Sequence, residues 1–147
     1  MEHIITADEF FNSGLPVSSD VTASEITFAV NTIEYYFIEP FLGDTLADIL
    51  ANPTQYQAVL NAGNGLKQMM YHLTFAFLLY DKIRLTRFSS VIKNDEHSTD
   101  PSMSDIKAVA SMHWEIGYSF LRSCCDTLSI DYRNVQRNDL IFNESIY

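Results

Sequence analysis

The sequence predicts an all-α protein, a small helical bundle with a buried central helix and an extended C-terminal arm. Three long segments repeat their apolar residues at the three- and four-residue spacing of helices, and no convincing pattern of paired strands occurs. The chain has 147 residues, enough for one domain with its own hydrophobic core. We therefore expect a bundle domain over residues 1–130 and an arm over residues 131–147.

The first part of the chain predicts a short helix followed by a long one. Thr6 as N-cap and Glu9 three residues later fit a capping box, which marks a helix start. A long amphipathic helix is expected over residues 22–38, with caps offered by residues 18–20 and with the proline and glycine of residues 40–43 ending it. Its apolar positions recur at helical spacing and comprise Ile26, Ala29, Val30, Ile33, Tyr36 and Phe37.

Short helical segments and then the central helix are expected next. Residues 45–51 are predicted to be helical, and Asn52-Pro53 has the pattern of an N-cap followed by a first-turn proline, which restarts a helical segment over residues 54–60. After a glycine-rich break, residues 66–84 are apolar on nearly every face. That pattern is typical of the buried central helix of a domain.

One more long helix is predicted before the arm. Residues 87–94 are interpreted as a short extended segment and residues 95–104 as a polar loop. The last long helix is expected to begin at residue 101 or 105 and to end at residue 128. Its adjacent cysteines, Cys124 and Cys125, are predicted to act as buried small hydrophobic side chains.

Charge is distributed unevenly along the chain. Nine Lys and Arg against nineteen Asp and Glu give a net charge of −10, and residues 1–66 contain nine acids and no Lys or Arg. This balance argues against a protein that coats nucleic acid and against a polybasic membrane anchor, since both need a basic face. Four bases that fall within twelve positions form a predicted basic patch for contact with a partner or a phosphate: Lys82, Arg84, Arg87 and Lys93.

The sequence lacks the patterns of catalytic, metal and cofactor sites. It has no Glu-x-x-His pair of the kind used by di-iron bundles, no Gly-x-Ser-x-Gly turn and no phosphate-binding glycine–lysine spacing. His72 and His113 are predicted to be core or interface side chains. The longest apolar stretch, residues 69–80, is shorter than the roughly 20 residues that span a bilayer. We therefore expect neither an enzyme nor a cofactor, and no association with a membrane.

The C-terminal arm lacks helical periodicity but is rich in large apolar side chains. Such a segment either docks on its own core or binds a neighbouring protein, and the sequence leaves both alternatives open. We predict an interface, so that deletion of residues 131–147 would leave helicity nearly intact and abolish assembly. The predicted interface residues are Tyr132, Val135, Leu140, Ile141, Phe142, Ile146 and Tyr147.

Four features of this layout occur together. Residues 8–11 (Asp-Glu-Phe-Phe) precede a long helix that ends in residues 39–43, and the apolar central helix ends at residues 85–87 (Leu-Thr-Arg). Residues 88–98, which include Asp-Glu-His-Ser, lead into the last long helix, and an extended arm follows. In these features the sequence resembles the head–tail connector (adaptor) proteins of tailed bacteriophages, of the kind found in crAss-like gut phages.

The resemblance implies a structural virion protein in the neck between capsid and tail, made in the host cytoplasm. Such a subunit would form a homo-oligomeric ring of about twelve copies beneath the portal protein. Its arm would contact the portal or neighbouring tail or ring proteins, and its inner face would line the DNA exit channel without sequence-specific binding. Two alternatives from other classes stay open. One is a soluble helical regulatory module that binds one protein partner through the arm, and the other is a small metal- or cofactor-dependent helical enzyme.

Overall fold

A computed structural model describes residues 1–17, 19–85 and 103–139, with the backbone alone at residues 81–85, 103 and 104. Every regular element in this part of the chain is a helix, which confirms the prediction of a small all-α bundle. In order, the elements are α1 (Ala7–Phe11), α2 (Ala23–Ile33), a π-helical segment (Glu34–Ile38), α3 (Glu39–Leu42), α4 (Asp44–Ala51), a 3-10 helix (Pro53–Tyr56), α5 (Gln57–Asn61), α6 (Leu66–Leu85) and α7 (Met103–Thr127).

The predicted helix starts are largely confirmed. Thr6 and Glu9 form the capping box of α1, in which the Thr6 hydroxyl accepts from the Glu9 amide at 3.1 Å and the Glu9 carboxylate accepts from the Thr6 amide at 3.2 Å. The cap of α2 differs from the prediction, since the Thr22 hydroxyl accepts from the Glu25 amide and residues 18–20 precede the cap. Asn52 and Pro53 restart the helical path, but as a 3-10 turn.

The end of the second helix differs most from the sequence-based expectation. The helical path through α2, the π-helical segment and α3, called the second helix below, ends at Leu42. Gly43 ends it as predicted, whereas the prediction that Pro40 also ends it is wrong. Pro40 has no N–H, and in a regular α-helix its ring crowds the carbonyl four residues back. The wider π-helical turn, in which the Glu39 amide donates to the Glu34 carbonyl, gives the proline room. Gly43, with a φ of +55°, then leads the chain into α4.

The core is built on the antiparallel pair α6 and α7, with α2 packed on another side of α6. The Asn64 amide, beside the start of α6, donates to the Ser123 hydroxyl near the end of α7 at 2.9 Å. The two long helices pack closely at Gly117, since a Cβ at this position would lie 2.5 Å from Leu73 Cδ2. The prediction of a buried central helix is confirmed, because α6 is buried on most of its faces between Leu66 and Tyr80.

A buried carboxylate fixes the segment that precedes α1. Glu34, in the first turn of the π-helical segment, accepts a hydrogen bond from the Ile4 amide at 2.6 Å. Its other oxygen lies 2.7 Å from His3 Nδ1. Glu34 therefore holds His3 and Ile4 against the second helix through two hydrogen bonds.

Two of the sequence-based interpretations lie outside the described residues. These are the extended segment over residues 87–94 and most of the polar loop, residues 95–102. The last long helix begins at Met103 and ends at Thr127, close to the predicted bounds.

Candidate functional site

The first part of the C-terminal arm, residues 131–139, lies along α7 of its own bundle. Tyr132 and Val135, two of the predicted interface residues, are partly buried against the hydrophobic core. For these two side chains the structure thus favours docking on the same chain over contact with a neighbour. The other five predicted interface residues lie outside the described residues: Leu140, Ile141, Phe142, Ile146 and Tyr147.

Arg137 makes the strongest polar contacts between this segment and α7. Its two terminal nitrogens donate to the two carboxylate oxygens of Glu115 at 2.9 and 2.6 Å, and its Nε donates to Asp139 at 2.8 Å. The guanidinium also lies over the Tyr118 ring, 4.6 Å from the centroid. The hydrogen bond from Arg137 lowers the pKa of Glu115, and the hydrogen bond to Glu115 is the main cause that raises the pKa of Arg137.

An aromatic cluster lies beneath these ionic contacts. The Trp114 indole Nε1 donates to Asp139 Oδ1 at 3.0 Å, and the buried Trp114 ring packs on Phe37 with centroids 4.7 Å apart. Tyr118, whose ring carries the guanidinium, packs edge-on against Phe41 at 5.8 Å. The arm therefore covers the junction between α7 and the second helix.

One arm contact depends directly on the proline described above. In a regular α-helix the Tyr36 carbonyl would accept from the amide of residue 40, but Pro40 has no N–H to donate. The Asn138 side-chain amide donates to this carbonyl at 3.4 Å. The arm thus supplies a hydrogen bond to a carbonyl that the proline leaves without its usual helical donor.

The second helix also carries an aromatic surface that the core does not use. Phe28, Tyr35 and Tyr36 are 66%, 63% and 51% exposed, and we call these three side chains the aromatic stripe. The prediction that Tyr36 faces inward is wrong, because the π-helical turn directs Phe37 inward and Tyr36 outward. Phe28 and Tyr35 were not identified from the sequence as surface residues.

The predicted basic patch is described only in part. Lys82 and Arg84 lie in the last turns of α6, where the structure describes the backbone alone. Arg87 and Lys93 lie outside the described residues.

The histidines and cysteines are packed between helices. The Nδ1 atoms of His72 and His113 lie 2.9 Å apart while the ring centroids are 5.1 Å apart, so the two rings meet through their nitrogens. Burial lowers the pKa of both histidines, and the nearby His113 lowers the pKa of His72 further. Cys124 and Cys125 are free and buried, as predicted, and burial raises their pKa values to about 12 and about 11. Thiols with such values are poor nucleophiles at neutral pH.

Metal-binding and membrane-spanning features are absent from the described part of the chain. No group of three or more His, Cys, Asp or Glu side chains in residues 1–17, 19–80 and 105–139 is arranged to hold a metal ion. Within the same residues, no helix combines the length and the apolar character that crossing a membrane requires.

Comparison of the chain with protein-family models, with curated proteins and with solved structures finds no match.

Proposed function

We propose that this chain is a structural, non-enzymatic virion protein, a head–tail connector subunit that forms a homo-oligomeric ring under the portal and lines the DNA exit channel. The proposal starts from the family resemblance of residues 8–11, 39–43 and 85–98 described above. It places the protein in the neck of the virion, between capsid and tail, in contact with the portal and with neighbouring tail or ring proteins.

The aromatic stripe is the structural observation that supports an assembly role best. The bundle already buries a large core, including Trp114 and Phe37, without Phe28 or Tyr35. Large apolar side chains grouped on one exposed helix face are typical of protein–protein contact sites. A subunit of a ring needs such surfaces, because each copy contacts two neighbours as well as the proteins above and below it.

The charge of the chain agrees with a DNA conduit. A net charge of −10, with no Lys or Arg in residues 1–66, gives a surface that repels phosphates. A channel that DNA must leave quickly benefits from such repulsion, whereas a DNA-packaging or DNA-coating protein would need basic side chains.

Quantitative mass spectrometry of purified virus particles tests this proposal. The chain should occur in particles at a ratio near one to one with the portal protein. Absence of the chain from particles would overturn the connector proposal and would leave the regulatory module as the better hypothesis. The capsid protein, counted in the same digest, serves as the internal standard.

A further inference from the structure

The aromatic stripe lies along one side of the second helix. Phe28 and Tyr35 are seven residues apart, which places them on the same side of the helix and about two turns from each other. The Tyr35 and Tyr36 rings touch edge to face, with centroids 4.8 Å apart. The stripe therefore consists of Phe28 and, about two turns later, the touching pair of Tyr35 and Tyr36, with the polar Asn31 and Thr32 between them.

An open groove borders the stripe at Phe28. The groove has a volume of about 560 Å³ and lies between the N-terminal segment at Glu2 and His3 and the outer side of α2. Hydroxyl and amide side chains line it together with the phenyl ring, among them Thr27 and Asn31. The groove is large enough to hold a side chain of a partner, and its polar groups can bind the end of that side chain.

Exposed carboxylates accompany this surface. Glu2 is exposed and lines the groove together with Phe28, and Glu39, four residues after Tyr35, is also exposed. The first base in the sequence, Lys67, is paired with Glu9 at 2.7 Å. Exposed aromatic faces attract cations, and the aliphatic parts of Lys and Arg pack well on rings. An acidic partner or a nucleic acid would be repelled from the same place.

From this combination we infer that the aromatic stripe and its groove form a docking site for a basic, apolar segment of a partner protein. The partner contributes Lys or Arg together with aliphatic side chains, so that its charges face Glu2 and Glu39 while its apolar groups cover Phe28 and Tyr35. This inference adds the chemistry of one partner surface to the proposed function. The inference rests on the proposed function in one respect, since the docking site and the connector role each require a protein partner.

A titration with a synthetic amphipathic Leu/Lys peptide, followed by amide NMR shifts and by fluorescence anisotropy, tests the inference. The shifts should concentrate on residues 24–36. The Phe28→Ser/Tyr35→Ser double variant should bind about fivefold or more weakly, as expected for loss of central aromatic contacts. The Val109→Ser/Met112→Ser variant is the matched control, because it removes two exposed apolar side chains from α7, and it should bind like the wild type.

Two outcomes would overturn the inference. One is a set of shifts spread over the whole acidic surface, and the other is equal affinity of the stripe variant and the α7 variant, since either would mean general charge attraction without a site. A Leu/Glu peptide of the same length should cause no shifts. The connector proposal is decided separately by the content of virus particles, so each idea fails independently of the other.

Discussion

Replacing Arg137 with alanine tests whether one side chain holds residues 131–139 on the bundle. The substitution removes the paired hydrogen bonds to Glu115, the hydrogen bond to Asp139 and the contact with the Tyr118 ring. The Arg137 side chain is 25% exposed, so solvent and salt screen its ion pairs less than those of a fully exposed arginine.

The expected cost is about 2 kcal/mol in the free energy of docking the arm. The Glu115 side chain is 58% exposed, and we therefore assign its two-point pair with Arg137 about 1 kcal/mol. The guanidinium over the Tyr118 ring adds roughly 0.5–1 kcal/mol. A change of about 2 kcal/mol raises the ratio of detached to docked arm by a factor of roughly 30.

The fluorescence of Trp114 measures this docking directly. Trp114 is the only tryptophan in the chain, and its indole donates to Asp139 in the arm. Arg137→Ala should shift its emission to longer wavelength and increase quenching by acrylamide, because water reaches the indole when the arm detaches. Arg133→Ala is the matched control, since it removes the same charge from an 84% exposed side chain whose partner is the nearby Asp131. Identical emission from both variants would refute the role assigned to Arg137.

Three further predictions concern the bundle itself. Gly117→Ala should lower the free energy of unfolding by about 1–2 kcal/mol in urea titrations, because its Cβ would lie 2.5 Å from Leu73 Cδ2, and this outweighs the better helix propensity of alanine. Glu34→Ala should cost about 1–3 kcal/mol, because it leaves a buried amide without its acceptor. Stability should fall as the pH drops below the ordinary histidine value of 6.5, since the folded state lowers the pKa of His72 and His113 and the unfolded chain then binds more protons.

Each of these has a control within the chain. Gly63→Ala places its Cβ in open space and should not destabilise the protein. Glu39→Ala removes an exposed carboxylate and should change stability by less than about 0.5 kcal/mol. A His72→Gln/His113→Gln variant cannot titrate at these positions, and its melting temperature should change less between pH 7.5 and pH 5 than that of the wild type. An equal loss in both proteins would show that other groups cause the acid sensitivity.

Local signals explain why most helices were predictable from the sequence. The capping box of Thr6 and Glu9 uses side chains three residues apart, and the all-round apolar pattern of residues 66–84 needs no knowledge of the neighbours. The proline rule failed at Pro40 because it assumes a regular α-helix, and the chain changes to a π-helical turn just before that residue.

The pattern of buried residues shows what that turn does. The buried positions repeat in pairs every four residues: Ala29 and Val30, Ile33 and Glu34, Phe37 and Ile38, Phe41 and Leu42. On a straight α-helix, three such repeats would rotate the buried face by about 120°. One extra residue in a π-helical turn takes back roughly 100° of this, which keeps the pairs on one side. The π-helical turn therefore keeps the buried pairs on both sides of Pro40 facing the core.

The docking of the arm could not be predicted in this way. Arg137 and Glu115 are 22 residues apart, and Asn138 is 102 residues from Tyr36, so no local spacing connects them. The apolar composition of the arm fits docking on its own core as well as docking on a neighbour. The contacts of residues 131–139 also change the deletion experiment, since removal from residue 131 onward would expose Trp114, whereas removal from residue 140 onward would leave those contacts in place.

The π-helical turn connects the two surfaces on which the proposals rest. Tyr36 contributes its exposed ring to the aromatic stripe and its carbonyl to the hydrogen bond with Asn138. Pro40 explains the hydrogen bond with Asn138, since it leaves the Tyr36 carbonyl without its usual helical donor. The wider turn explains the exposed ring, since it brings Tyr35 and Tyr36 outward together. The stripe and the arm therefore meet at Tyr36, and a partner protein bound to the stripe would lie beside the docked arm.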